Sequence, residues 1–239
     1  MKLQHPTLRA DLALALRAAA HHGLGEGICN HFSVDVGGGL FLINPQGLHW
    51  SEVQAADVVL CDGQGRVVEG RHPVEPTAFF IHSWVHRLAP AAKVVLHTHM
   101  PFATALTLTQ GSRLEWASQG ALRFHGKVAY DPDYNGLVLD DAEGQRIGGL
   151  FKAAGVQASV LFLANHGVIV TGDTVAWAYD DLYYLERAAM HQVLAQSTGK
   201  PLKLIDPAVA RKTAAQIAGE RQQSDLFFEA LRRMLPPKP

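Results

Sequence analysis

The sequence predicts an α/β fold in which a mixed, largely antiparallel sheet is sandwiched between helices. Two observations carry this. Two pairs of short apolar runs, each closed by a glycine turn, read as hairpins, and helical periodicity occupies both ends of the chain. Size supplies a third: 239 residues, 48% of them hydrophobic and 18% charged, suffice for one well-cored domain over 1–239 but hardly for two.

Leu8, Leu12, Ala15, Leu16 and Ala19 recur at helical spacing and Gly23 follows as a stop, so the chain opens on a packed helix. His31 to Val36 then alternates, Gly37-Gly38-Gly39 turns, and Leu40 to Asn44 completes the first hairpin. Val58 to Asp62 and Arg66 to Glu69 form the second, with Gly63 and Gly65 between them. Pro76 suits the first turn of a helix, whose broad face Phe80, Ile81, Trp84, Val85 and Leu88 would bury before Pro90. Lys93 to His99 reads as a strand, Pro101 opens another helix, and Val128 to Tyr130 is a short strand. Ala158 to Val170 reads as two strand pieces hinged at Asn165-His166-Gly167. Two long helices are expected to finish the chain, about 174–196 and about 207–235, with Ile217 and Phe227/Phe228 on the apolar side of the second. Between them 196–206 is linker-like, and the tail 236–239 is expected to fray. No internal repeat or low-complexity segment interrupts this order.

Lys plus Arg number 21 against 22 Asp plus Glu, a net charge of −1, and no basic cluster offsets that balance. A nucleic-acid partner is therefore not expected. The two cysteines, Cys29 and Cys61, make neither a disulfide framework nor a Cys-x-x-Cys metal motif. With no apolar run of signal-peptide or membrane-span length, the expectation is a soluble cytoplasmic protein without a membrane partner.

Random placement of 13 histidines in 239 positions gives about 0.7 pairs two apart, so His97-Thr98-His99 means little by itself. Its context matters. The pair ends a strand, where residues two apart share a face, and a helix starts directly after it, the usual ligand location in open α/β sheets. At a strand end, loss of the His97 imidazole should spare the fold. His166, a polar residue between two apolar strand pieces, is the best third ligand, and three imidazoles leave a zinc position open for chemistry. Read more plainly, His97 and His99 are hydrogen-bonded strand histidines and His166 a turn residue. His82 and His86, four apart on a helix, lack the glutamate that zinc proteases place after the first histidine, since Ser83 stands there. Glu75, in His72-Pro73-Val74-Glu75-Pro76, is either a helix cap or a general acid/base held by flanking prolines. The glycine-containing loop 23–33 could cradle an anion, whereas nucleophile-elbow, Walker and dinucleotide motifs are absent.

Glu75, His97-Thr98-His99, Asn165-His166-Gly167 and the Tyr184-to-Arg187 segment (Tyr-Leu-Glu-Arg), together with Asn30-His31-Phe32-Ser33 and Asn44-Pro45-Gln46-Gly47-Leu48, resemble the class II aldolase/adducin family over about residues 8–200. The resemblance implies a three-layer α/β/α sandwich, a divalent metal on His97, His99 and His166, and Glu75 as acid/base. The expected metal is zinc, with manganese, cobalt or iron as alternatives. It also implies a homo-oligomer, a tetramer with sites between subunits. His125 and Tyr130 lie where family members lend an aromatic acid across that interface, which makes Tyr130 a candidate catalytic residue. Asn30, His31, Ser33, Asn44 and Gly47 are candidate substrate-binding residues.

Departures from the family pattern bear on substrate. Pro73-Val74 replaces a serine pair, Asn30-His31-Phe32-Ser33 replaces the Gly-Asn-x-Ser phosphate loop, Asp35 stands where arginine is common, and Asn44-Pro45-Gln46-Gly47 replaces Thr-Pro-Ser-Gly. The expected function is a metal-dependent carbon–carbon lyase, of aldolase or decarboxylase type. It would act on a small non-phosphorylated hydroxy-carbonyl or hydroxy-acid through a metal-stabilised enediolate. The alternatives are a non-catalytic adducin-like binding module, or a sugar-phosphate aldolase or epimerase despite the altered loops.

Overall fold

The computed structural model describes residues 3–153 and 158–237. Among these, α1 (Pro6–His21) leads into β1 (His31–Gly37), β2 (Leu40–Ile43), β3 (Val59–Asp62) and β4 (Val67–Glu69), the two expected hairpins. After α2 (Pro76–Leu88), β5 (Val94–Thr98) and α3 (Pro101–Thr107) come β6 (Val128–Asp131), α4 (Asp141–Ala153), β7 (Val160–Leu163) and β8 (Gly167–Gly172). The helices α5 (Val175–Gln196), α6 (Pro207–Ala218) and α7 (Gln222–Met234) close the chain. The eight strands form one sheet in the order β4-β3-β2-β1-β5-β8-β7-β6, antiparallel except for the parallel β6/β7 pair.

Alternation along each strand separates two apolar layers. Phe32, Val34, Val94, Leu96, Phe162, Val168 and Val170 face α1, α3, α5 and α7. Val95, Leu161, Leu163 and Ile169 face α2 and α4. The interior strands β5 and β8 are thus covered on both sides, which is why they read as apolar runs interrupted only by chemistry-bearing residues. The three-layer α/β/α arrangement is as expected.

Two expectations need correction. The single helix expected over 207–235 is two, because α6 ends at Gly219 and α7 restarts after Arg221. Phe228 is buried on α7, while Ile217 and Phe227 are half-buried. The helix α4 was not anticipated. Its three glycines argue against a helix locally, yet a Cβ on Gly144 would lie 2.6 Å from the Trp84 ring, and one on Gly148 would lie 2.8 Å from the Trp84 carbonyl. Glycine lets α4 cross α2 at close range, and tertiary packing overrides propensity. The expected frayed tail falls partly outside the described residues, at 238–239. No described helix is long and apolar enough to cross a membrane.

Candidate metal centre

Pleating fixes the first two ligand candidates. On β5, Val94 and Leu96 take one face, so Val95 and His97 take the other, the face covered by α2. His97 is 1% exposed, and its Nδ1–H donates to the Val168 carbonyl on β8 at 3.0 Å. This corrects the expectation that its loss would spare the fold: His97 belongs to an interior strand, and an alanine there would leave a cavity. His99 lies just past the strand end, where its Nδ1–H donates to Glu26 Oε2 at 2.7 Å. Its Nε2 is buried with no hydrogen-bond partner.

The third imidazole arrives on the β7–β8 turn. Asn165 adopts a left-handed backbone with φ 55°, tolerable for asparagine, and its N–H donates to the Thr107 carbonyl at 3.1 Å. Gly167 then lets β8 approach β5 directly, because a Cβ there would sit 2.5 Å from the Thr98 carbonyl oxygen. The three histidine side chains converge, each offering one ring nitrogen, and those atoms all lie within 4.8 Å of one another. Burial holds His97 well below its usual range and His166 at about 4, the neighbouring imidazoles adding to the effect. An imidazole with Nδ1 committed to a carbonyl, as in His97, or to a carboxylate, as in His99, and Nε2 free is an oriented donor for a divalent metal such as zinc. The orphaned, buried His99 Nε2 fits that use and leaves a cost unexplained without it.

Glu75 borders this centre as the N-cap of α2. Its Oε2 accepts from the Ala78 N–H at 2.7 Å and from the Thr77 hydroxyl, and lies 3.7 Å from His31 Nε2. The side chain is 29% exposed. The cap is therefore real, but it occupies one carboxylate oxygen only. His31 pairs with His97 across β1 and β5 and stacks on it, ring centroids 5.0 Å apart.

The other candidates separate into neighbours and supports. Asn30 Oδ1 accepts from the Glu26 N–H at 2.8 Å and the His99 N–H at 3.3 Å, while its Nδ2 is buried without a partner. Asn44 Oδ1 accepts from the Phe32 N–H, and Gly47 turns its loop at φ 88°. Ser33 is corrected from substrate contact to buried support. It is fully buried, its hydroxyl held between His82 Nδ1 at 2.5 Å and His86 Nε2 at 2.7 Å. That bond also explains the His82/His86 spacing, which serves a hydrogen-bond ladder and lies outside the metal-compatible cluster.

Tyr130, expected to act across a subunit interface, lies away from its own chain's triad. It pairs with Phe162 on β6/β7 and stacks on it at 5.3 Å, on the sheet face opposite His97. Its hydroxyl accepts from the Leu114 N–H at 3.0 Å, and burial raises its pKa. His125 packs against Trp116. The aromatic ring near the triad is Tyr134, 52% exposed and 6.4 Å from His166. Neither Tyr134 nor Glu26 was singled out from sequence; Glu26 had a signal, since it stands inside the glycine-containing loop.

Comparison with known proteins shows which family the chain resembles. The profile of the Class II Aldolase and Adducin N-terminal domain matches residues 10–193. A Caulobacter vibrioides protein whose name places it provisionally among class 2 aldolases is 34% identical over 206 residues, 85% of this chain and 78% of that protein. Human beta-adducin is 34% identical over 82% of this chain, which spans only 28% of adducin's length. The crystal structure of an aldolase II superfamily protein from Pseudomonas syringae superposes with a TM-score of 0.88 at 32% identity, covering 98% of this chain and 94% of that one.

Proposed function

The chain belongs to the class II aldolase and adducin family, and from that premise we propose that it is a divalent-metal-dependent carbon–carbon lyase. Its substrate would be a small non-phosphorylated hydroxy-carbonyl or hydroxy-acid. His97, His99 and His166 would hold the metal, zinc before manganese, cobalt or iron. The observation that carries the reading is the convergence of three imidazoles, two of them with Nδ1 already engaged, and the orphaned, buried Nε2 of His99. When bound, the cation supplies Lewis acidity toward the electron pair released as a carbon–carbon bond breaks.

The chain's own residues supply the rest. Glu26 and the Val168 carbonyl orient two imidazoles, and Glu75, with Oε1 outside its cap, moves the substrate proton. Asn30 Nδ2 is a buried donor left for a substrate oxygen. Because Tyr130 lies on the far face of its own sheet, an aromatic acid would come from a neighbouring subunit, in keeping with a tetramer of one-domain chains. Adducin relatives support a second reading, a binding module without turnover, although such a module has no use for an open histidine triad.

Metal analysis followed by a turnover screen decides between them. Wild-type protein is expected to hold about one zinc per chain, and His99→Gln, at a half-buried position past the end of β5, should lose it while unfolding as before. Wild-type protein without bound metal after zinc loading would overturn the lyase reading. Metal without turnover on any unphosphorylated hydroxy-aldehyde, ketose or hydroxy-acid would favour the binding module.

A further inference from the structure

Beside the candidate centre runs a buried ladder of polar side chains that the proposed chemistry does not use. His31 and Ser33 lie two apart on one face of β1, and His82 and His86 lie four apart on the facing side of α2. Contacts run from the Ala92 carbonyl to His86 Nδ1 at 2.9 Å, from His86 Nε2 to Ser33 Oγ at 2.7 Å, from Ser33 Oγ to His82 Nδ1 at 2.5 Å, and from His82 Nε2 to His31 Nδ1 at 3.3 Å.

The direction of this ladder follows from one end. A backbone carbonyl can only accept, so His86 carries its proton on Nδ1 and leaves Nε2 a lone pair. Ser33 must donate to that lone pair, and its single proton is then spent. The hydroxyl therefore accepts from His82 Nδ1–H, His82 Nε2 becomes a lone pair, and His31 Nδ1–H fills it. The last atom, His31 Nε2, emerges unprotonated, 3.7 Å from Glu75 Oε2 and on a ring stacked against His97. Enclosure keeps the rings neutral: His31 is 3% exposed and His82 fully buried, where a charge would lose its hydration, and burial also lowers His86 to about 4 and His82 well below its usual range.

We infer that the ladder from the Ala92 carbonyl through His86, Ser33 and His82 fixes His31 Nε2 as a hydrogen-bond acceptor beside Glu75, making this corner of the site selective for a substrate hydroxyl and adverse to a phosphate. Two acceptors 3.7 Å apart lack a hydrogen between them, and a hydroxyl brings one. A phosphate oxygen brings only further lone pairs and negative charge next to a carboxylate. His31 is the residue that would touch substrate; Ser33, His82 and His86 are positioning residues. The selectivity rests on the proposed lyase site, whereas the tautomer order rests on the hydrogen bonds alone.

Two measurements on the full chain test them separately. In metal-stripped, ¹⁵N-labelled protein, long-range nitrogen–proton spectra should find His31, His82 and His86 each protonated on Nδ1 and bare on Nε2. A proton on His31 Nε2 overturns the inference. Ser33→Ala should release that order and Ser33→Thr, which restores a hydroxyl, should keep it; the wild-type spectrum decides even if neither variant folds. In zinc-loaded protein, lactate, glycerate and 3-phosphoglycerate share a chelating hydroxy-acid head and differ beyond it. Glycerate should bind about tenfold more tightly than lactate, and 3-phosphoglycerate no more tightly than lactate. Equal binding of glycerate and lactate, or a preference for the phosphorylated probe, overturns the selectivity. Failure to load zinc at all counts against the lyase reading and leaves the tautomer spectrum to judge the ladder.

Discussion

Glu75 caps α2 and keeps an oxygen for the proton transfer proposed for it, roles that the sequence could only pose as alternatives. Its Oε2 caps α2 through the Ala78 N–H and the Thr77 hydroxyl, whereas Oε1 is engaged in no hydrogen bond with the described residues. Glutamine in its place can still accept at the helix start, so Glu75→Gln should cost at most ~1 kcal/mol in urea unfolding. If Glu75 transfers the substrate proton, the same variant should lose ~10²–10⁴-fold in kcat with zinc content unchanged. Near wild-type turnover would reduce Glu75 to a cap. At this scale the sequence is legible where strand period or turn chemistry fixes direction, as with His97 on β5 and His166 beside the left-handed Asn165. It is not legible where a residue's partner is set by register between distant elements. Ser33 reads as a substrate contact until β1 is laid against α2, and only the β6/β7 pairing tells which sheet face Tyr130 takes. Glu186 in the Tyr-Leu-Glu-Arg segment is a further case. Its carboxylate accepts from the Phe102 and Ala103 N–H groups at 2.8 Å, capping α3 directly after the histidine pair.

Among the elements, the strands and their hairpins follow from alternation and glycine turns, while α4 escapes because its glycines obey packing. The same logic makes Gly167 the most constrained position near the centre. It starts β8 against Thr98 of β5, and any side chain would enter the space of the Thr98 carbonyl and the His99 ring, whose Cδ2 lies 2.9 Å from the Cβ position. Gly167→Ala therefore has to push β8 away from β5 and displace His99 with it. The expected outcome is a loss of ~1–3 kcal/mol in chemical unfolding together with zinc affinity reduced in the folded fraction. Gly149→Ala, on the same helix as Gly144 but with open space around its Cβ position, serves as the control and should be neutral or slightly stabilising. Equal stability of Gly167→Ala and wild type would show that the β5–β8 contact yields easily, and with it that the geometry of the triad is loosely held.

Taken as a whole, the molecule stores several neutral histidines in its interior, and this sets how its stability depends on pH. His31, His82 and His97 are enclosed between β1, β5 and α2, and burial lowers the pKa of each, as it does for His86 and His166. In the unfolded chain the same groups take up protons near 6.5. Below that value the unfolded state binds more protons than the folded one, so stability falls as pH falls, until the folded pKa values of about 3 to 4 are passed. A single histidine kept neutral at pH 5 costs about 2 kcal/mol relative to pH 7, and several act together here. Metal-stripped protein should therefore show a urea midpoint that is flat from pH 7 to 8 and drops steeply between pH 6.5 and 5, before carboxylates titrate. His86→Phe, which removes one of these groups at a half-buried position while retaining an aromatic ring beside Phe41, should flatten the slope. A midpoint independent of pH over that interval would mean that the buried imidazoles accept protons in the folded state, and the ordered His31–His82–His86 ladder could not then persist at acid pH.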